Sequence, residues 1–177
     1  MIMEPMKGGI LSAELPPDIA AKLDAAKPGR TPVDWAFAWL YNFPEVVCVL
    51  SGMSNLEQVK ENIAIASAAG VGDMSPAELA ALEDAAEAIK RNTKIPCTFC
   101  AYCLICPQKL DIPTVFKSYN YANLHNDFDS KFSAYWQLPE DKRASACTGC
   151  KKCLALCPQK LPIDEHMSMI AEKAASL

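Results

Sequence analysis

Eight of the nine cysteines crowd into the stretch from Cys97 to Cys157, in two runs. The first reads Cys97-x2-Cys100-x2-Cys103-x2-Cys106-Pro107. The second reads Cys147-x2-Cys150-x2-Cys153-x3-Cys157-Pro158. Thiolates are soft ligands, and three of them at two-residue intervals can wrap one corner of a metal–sulfur cubane, because a tight loop turns each sulfur inward. Backbone N–H groups of such a loop can also donate to the sulfides. The fourth thiolate must come from elsewhere in the chain. The spacing therefore points to iron–sulfur clusters of the four-iron four-sulfur type and to one-electron chemistry. Structural zinc sites pair two short Cys-x2–4-Cys knuckles per metal, a pattern that evenly spaced triplets fit poorly. A zinc-stabilised binding module stands as the alternative from another class. Disulfides would need an oxidising compartment.

The second run follows the bacterial ferredoxin spacing, and in two-cluster ferredoxins the last cysteine of each run ligates the other cluster. On that rule Cys97, Cys100, Cys103 and Cys157 hold one cluster, and Cys147, Cys150, Cys153 and Cys106 hold the second. Pro107 and Pro158 fix φ and turn the chain away from each last ligand. The runs belong to an internal repeat, CTFCAYCLICPQKL against CTGCKKCLALCPQKL. Lys109, Lys151, Lys152 and Lys160 lie within it, placed to tune a cluster, to dock an acidic partner, or simply to be solvated. Cys48 stands apart in an apolar run and reads as a small buried hydrophobe. Trp35, Trp39 and Trp136 read as packing residues, and His125 and His166 carry no assigned role.

The elements that must position these groups differ between the two halves. A boundary near Asn92 to Pro96 divides residues 1–92 from residues 93–177. In the first half, Met1 to Met6 is short and apolar. Glu45 to Leu50 holds Val46, Val47, Cys48, Val49 and Leu50 unbroken, as a strand buried on both faces of a parallel sheet would. Helices are predicted from Pro17 to Lys27, from the N-cap Thr31 through Leu40, and from Asn55 to Ala69 with Leu56, Val59, Ile63 and Ala66 on one face. Another runs from the Ser75–Glu78 capping box to about Arg91. In the second half, 112–125, 127–136 and 161–176 read as helical. The fold class is therefore mainly α with a few parallel strands.

Met3-Glu4-Pro5-Met6-Lys7-Gly8-Gly9 and the stretch Leu50-Ser51-Gly52-Met53-Ser54-Asn55-Leu56-Glu57-Gln58-Val59-Lys60-Glu61-Asn62 resemble the last two strand-and-loop units of the aldo/keto reductase (β/α)8 barrel. With the cysteine runs, the chain looks like the C-terminal part of oxidoreductases that fuse such a barrel to an α-helical ferredoxin domain. The resemblance implies a partial barrel remnant over 1–92, its last two βα units, followed by an α-helical ferredoxin-like domain over 93–177. It also implies NADP(H) or NAD(H) binding once the barrel is complete, through Met6 and Gly8 after one strand and Gly52, Met53, Ser54, Gln58, Glu61 and Asn62 after the next. A helix beginning just past Ser54 offers free N–H groups to a phosphate. Met53 and Ser54 stand where many members carry Arg or Lys, and only Lys60 is near, so the choice between NADP and NAD stays open.

The catalytic Asp, Tyr, Lys and His of that family come from earlier strands. The chain is therefore expected to be a fragment, a proteolysis product, or one product of a split gene, without carbonyl reductase activity of its own. It is expected to work as the iron–sulfur electron-transfer portion of a nicotinamide-linked oxidoreductase. Its partner would be the missing barrel portion or another redox protein, or a second copy pairing through exposed strands. The alternative is a stand-alone electron carrier or subunit whose N-terminal half binds a partner. A hydride carries two electrons and a cluster one, and no flavin motif bridges them. The formal charge of −4 includes no basic stripe for nucleic acid, and no apolar stretch approaches the ~20 residues of a membrane span. The N-terminus lacks signal-peptide features, and a cytoplasmic location follows as an expectation.

Overall fold

The structure is a computed structural model and describes residues 1–3, 5, 6 and 9–177. The chain folds as two compact units, Met1–Ala88 and Ile89–Leu177. It is mainly helical, and no helix among the described residues is long and apolar enough to cross a membrane.

The first unit is built on α1 (Pro17–Ala26), α2 (Pro32–Tyr41), α3 (Leu56–Ala68) and most of α4 (Pro76–Asn92). Each start has a local cause. Thr31 caps α2 by accepting from the Asp34 N–H, while the Asp34 carboxylate accepts from the Thr31 N–H at 2.9 Å. Ser75 and Glu78 make the same reciprocal box at the head of α4, at 2.8 and 3.3 Å. Ile19, Leu23, Trp35, Phe37, Leu40, Met74 and Ala85 form the buried core. One partly buried charged pair lies beside it. Arg30 reaches Glu78 at 2.9 Å and lies 5.0 Å over the Trp35 ring. Asn42 pins the segment before α4, its carbonyl accepting from the Gly72 N–H at 3.1 Å and its side chain from the Met74 N–H at 3.0 Å.

Two expectations for this unit need correction. Glu45 to Leu50 is not a strand buried on both faces. Among the described residues, the parallel pairing is one isolated bridge, Ile2 to Val49. It is made by the Ile2 N–H to the Cys48 carbonyl at 2.8 Å and the Leu50 N–H to the Ile2 carbonyl at 2.9 Å. A parallel strand is buried only when neighbours flank both edges. Among the described residues only Ile2 pairs with the run; Val47 is 88% exposed and Cys48 is half-buried rather than core. The stripe expected on α3 is likewise uncovered, with Leu56 and Ile63 exposed, while Val59, Asn62 and Ile65 are half-buried.

The second unit is built around α5 (Ile112–His125), which packs against the short α6 (Phe128–Lys131) and α7 (Ser133–Trp136). The chain closes with α8 (Ile163–Ala175). Proline at the first turn of α5 and the Asp111 carboxylate, which accepts from the Thr114 N–H, start the central helix. Asn126, at φ 49°, stops it in the left-handed conformation that Asn tolerates. The core comprises Ile95, Leu110, Ile112, Val115, Phe116, Tyr119, Ala122, Phe132, Tyr135, Leu161, Ile163, Met167 and Ile170. Phe132 and Tyr135 stack at 4.4 Å. The Asn120 carboxamide accepts from the Ile95 N–H at 3.0 Å and donates to the Ile95 carbonyl at 2.7 Å, which anchors the segment leading into the first cysteine run.

Candidate metal centre

Both cysteine runs fold as loops ending in a 3-10 turn, Tyr102–Ile105 in the first and Leu154–Leu156 in the second. Their backbones match at three left-handed positions, although the second run carries one more residue before its last cysteine. Phe99 and Gly149 sit at φ 58° and 63°, Ala101 and Lys151 at 65° and 61°, Lys109 and Lys160 at 52° and 51°. The hydrogen bonds repeat as well. The Leu104 N–H donates to Ala101 at 3.0 Å and the Leu154 N–H to Lys151 at 3.1 Å. The Lys109 N–H donates to Cys106 at 2.8 Å and the Lys160 N–H to Cys157 at 3.0 Å. Left-handed residues inside such loops turn successive N–H groups inward, a concavity suited to anions and to the sulfur of iron–sulfur sites. Two N–H groups already point at thiols. Phe99 donates to Cys97 Sγ at 3.4 Å and Leu161 to Cys157 Sγ at 3.5 Å.

The first run and the end of the second meet around one cavity. Cys97, Cys100 and Cys103 line it together with Cys157, alongside the apolar Phe116, Leu161 and Ile163. It holds about 330 Å³ of space between atoms, counted to its open mouth. Burial pushes the Cys97 thiol up, and the neighbouring Cys100 and Cys157 add to the shift. Burial pushes Cys103 up to about 11, with smaller contributions from Cys97, Cys100 and Cys153. The Cys153 thiol is also raised, first by burial and then by Cys147, Cys150 and Cys106. Cys97, Cys100, Cys103 and Cys157 thus line one cavity, while Cys147, Cys150 and Cys106 are near enough to Cys153 to act on its thiol. All are free thiols. Among the described residues no three His, Cys, Asp or Glu side chains gather closely enough to hold a single ion.

The donor set and the cradle fit an iron–sulfur cluster. Four soft ligands surround a space, the walls are apolar, and inward-turned N–H groups supply the local polarity. The spacing of the cysteines marks the thiols in the sequence but not the walls. Phe116, Leu161 and Ile163 look like any core residues in the sequence. The glycine of Cys147-Thr148-Gly149-Cys150 was the one readable sign of left-handed backbone, and Phe99 hides the same conformation in the first run.

The nicotinamide contacts expected in the first unit fall as follows. Met6, Gly52, Met53, Gln58, Glu61 and Asn62 line one open cleft of about 800 Å³, with Gly9, Ser12, Val33, Phe37 and Ser51 among the residues that complete it. Ser54 is not in the lining. Its N–H and hydroxyl both donate to the Gln58 side-chain oxygen, at 2.8 and 3.2 Å. Asn55, not Ser54, caps α3, accepting from the Gln58 N–H at 2.9 Å. Asn62 donates to Ser51 Oγ at 2.9 Å. Gly8 lies outside the described residues.

No curated protein and no solved structure matches the chain. Residues 96–161 match the family model of the 4Fe-4S dicluster domain, which supports iron–sulfur binding and an electron-transfer role for the segment that carries both cysteine runs.

Proposed function

We propose that residues 93–177 hold two 4Fe–4S clusters and pass single electrons, with Cys97, Cys100, Cys103 and Cys157 on one and Cys147, Cys150, Cys153 and Cys106 on the other. The observation that carries this reading is the cavity that Cys157 shares with the first run, across an interval of more than forty residues. When bound, each cluster supplies one-electron oxidation and reduction. The chain's own groups do the rest. Each thiol gives up its proton to become a ligand, and for Cys97, Cys103 and Cys153 burial makes that proton harder to lose until a metal takes its place. Phe116, Leu161 and Ile163 keep water from the first site. The left-handed loop residues aim N–H groups at sulfur.

Anaerobic preparation of the chain tests this directly. Iron and acid-labile sulfide at about eight each per chain, with the visible and electron paramagnetic resonance (EPR) signatures of cubane clusters, is the expected result. A colourless protein with stoichiometric zinc would refute it. A Cys157→Ala variant should disturb the cluster of the first run and leave that of the second. Loss confined to the second run's cluster would sink the crossed assignment.

The first unit extends the proposal. We infer that residues 1–92 are related to the last two βα units of an aldo/keto reductase barrel and bind NADP(H) or NAD(H) in the cleft lined by Met6, Gly52, Met53, Gln58, Glu61 and Asn62. Two observations support it. The parallel Ile2–Val49 bridge is joined through helices α1 and α2, as a βαβ unit would be. Six of the eight residues expected at the cofactor line one cleft. The cluster-bearing unit would then serve a nicotinamide-linked oxidoreductase whose catalytic residues come from a partner or from another part of that enzyme. Calorimetric titration with NADPH and NADH tests the cleft, and no heat with either overturns this extension while leaving the clusters untouched. The chain alone should not reduce an aldehyde with NADPH.

A further inference from the structure

The two cysteine loops serve as controls for each other. Their left-handed positions agree within a few degrees and their turn hydrogen bonds agree within a few tenths of an ångström. The two N–H···S bonds, from Phe99 to Cys97 and from Leu161 to Cys157, both fall on thiols assigned to the first cluster, so backbone donation does not favour the second, and what else distinguishes the loops is their side chains. Ala101 and Tyr102 occupy the two positions between the second and third cysteines of the first run. Lys151 and Lys152 occupy them in the second. The lysines of the two Pro-Gln-Lys turns cancel, since each run has one. The other charges nearby do not reverse the asymmetry. Asp164 stands 3.7 Å from Lys151 and offsets that one ammonium in part, and no ion pair to Lys152 occurs among the described residues. Lys142 adds a further positive charge on the second side. It donates to the Gln108 carbonyl at 3.0 Å, two residues past Cys106, although Asp141 is 3.2 Å away. Burial acts in the same direction. Cys103 is buried among apolar walls, whereas its counterpart Cys153 is half-buried.

We propose that Lys151 and Lys152 set the reduction potential of the cluster held by Cys147, Cys150, Cys153 and Cys106 above that of the other, making it the resting place of the first electron the chain accepts. This rests on the two-cluster reading above. Reduction adds one negative charge to a cluster, and an ammonium carried on a residue between two of its ligands in the chain favours that change, while an apolar enclosure opposes it. The lysines are positioning residues. They touch no reacting atom, and they act through the charge they place beside the thiolates.

A redox titration of the full, cluster-loaded chain with dithionite, followed by EPR, is the test. The expected result is two waves separated by roughly tenfold in the reduction equilibrium, or about 59 mV for a one-electron couple. The double variant Lys151→Ala, Lys152→Tyr copies the first run into the second and should bring the waves together. The double variant Ala101→Lys, Tyr102→Lys should raise the lower wave toward the higher. A separation that both variants leave unchanged overturns the proposal, and so does a wild-type chain whose waves coincide. Iron and sulfide are measured on each sample. A wild-type chain without clusters refutes the two-cluster reading, whereas intact clusters with unmoved potentials refute only the role given to the lysines.

Discussion

Gly149 isolates the energetic cost of the left-handed backbone in the cysteine loops. Its φ is 63°, and a Cβ added there would meet no atom within 4 Å. A Gly149→Ala substitution therefore brings no clash, and its cost is conformational. Holding an L-residue in the left-handed region costs roughly 1–2 kcal/mol. Removing glycine also reduces the freedom of the unfolded chain, which returns roughly 0.4–1 kcal/mol. The net loss should be about 1 kcal/mol, or a fall of roughly 4–8 °C in the thermal midpoint for a unit of this size. The assay is thermal unfolding of the cluster-loaded chain under anaerobic conditions, with circular dichroism and visible absorption followed at one scan rate. Gly149→Asn is the control, because Asn enters the left-handed region more readily, and it should lose less than Ala. An Ala variant as stable as the parent, or one no worse than Asn, would refute the claim that φ at this position governs the loop. The same logic gives Phe99 at φ 58° as the strained partner in the first run.

Three further outcomes follow from the packing. Glu78→Gln should cost about 2 kcal/mol in chemical denaturation of the first unit, because it weakens the N-cap acceptor at Ser75 and leaves the Arg30 guanidinium without its carboxylate. The Glu78 carboxyl is held below the usual carboxylate range, first by the Ser75 N–H and next by the Ser75 side chain. Its contribution should be fully present above the unfolded value and fade as the pH falls through the lower folded one, and the Gln variant should lose that part of the acid slope. Asn120→Ala removes both bonds to the fully buried Ile95 and should cost roughly 2 kcal/mol, read as earlier loss of visible absorption on heating. Stripping iron with a chelator in the absence of denaturant should lower the helical signal of the second unit and leave that of the first, and equal losses in both would contradict independent units.

The parts of this molecule legible in the sequence were those fixed by short-range chemistry. Thr31 and Ser75 announce helix starts because a cap works within three residues, and both capping boxes form. The two cysteine runs announce themselves because ligand spacing is local. Features that depend on distant neighbours were not legible. Val46 to Leu50 has the composition of a buried strand, yet burial depends on flanking strands, and a single bridge leaves Val47 exposed. Arg30 and Glu78 meet across almost fifty positions with no signal in either segment. Ser54 and Asn55 are both capping residue types, and local sequence does not choose between them; Asn55 takes the cap while Ser54 donates to Gln58. The left-handed Phe99, Ala101 and Lys151 were invisible for a different reason, since nothing in those residue types asks for positive φ and the surrounding loop imposes it.

The Ile2–Val49 bridge has a consequence in time. Closing a loop of that length costs roughly 3 kcal/mol in chain entropy. Two backbone hydrogen bonds return about 2 kcal/mol between them. The rung therefore does not sustain itself and persists only while the helices between its ends stay docked. The amides of Ile2 and Leu50 become sentinels, and in deuterated water their exchange rates keep the clock of every excursion in which α1 and α2 loosen.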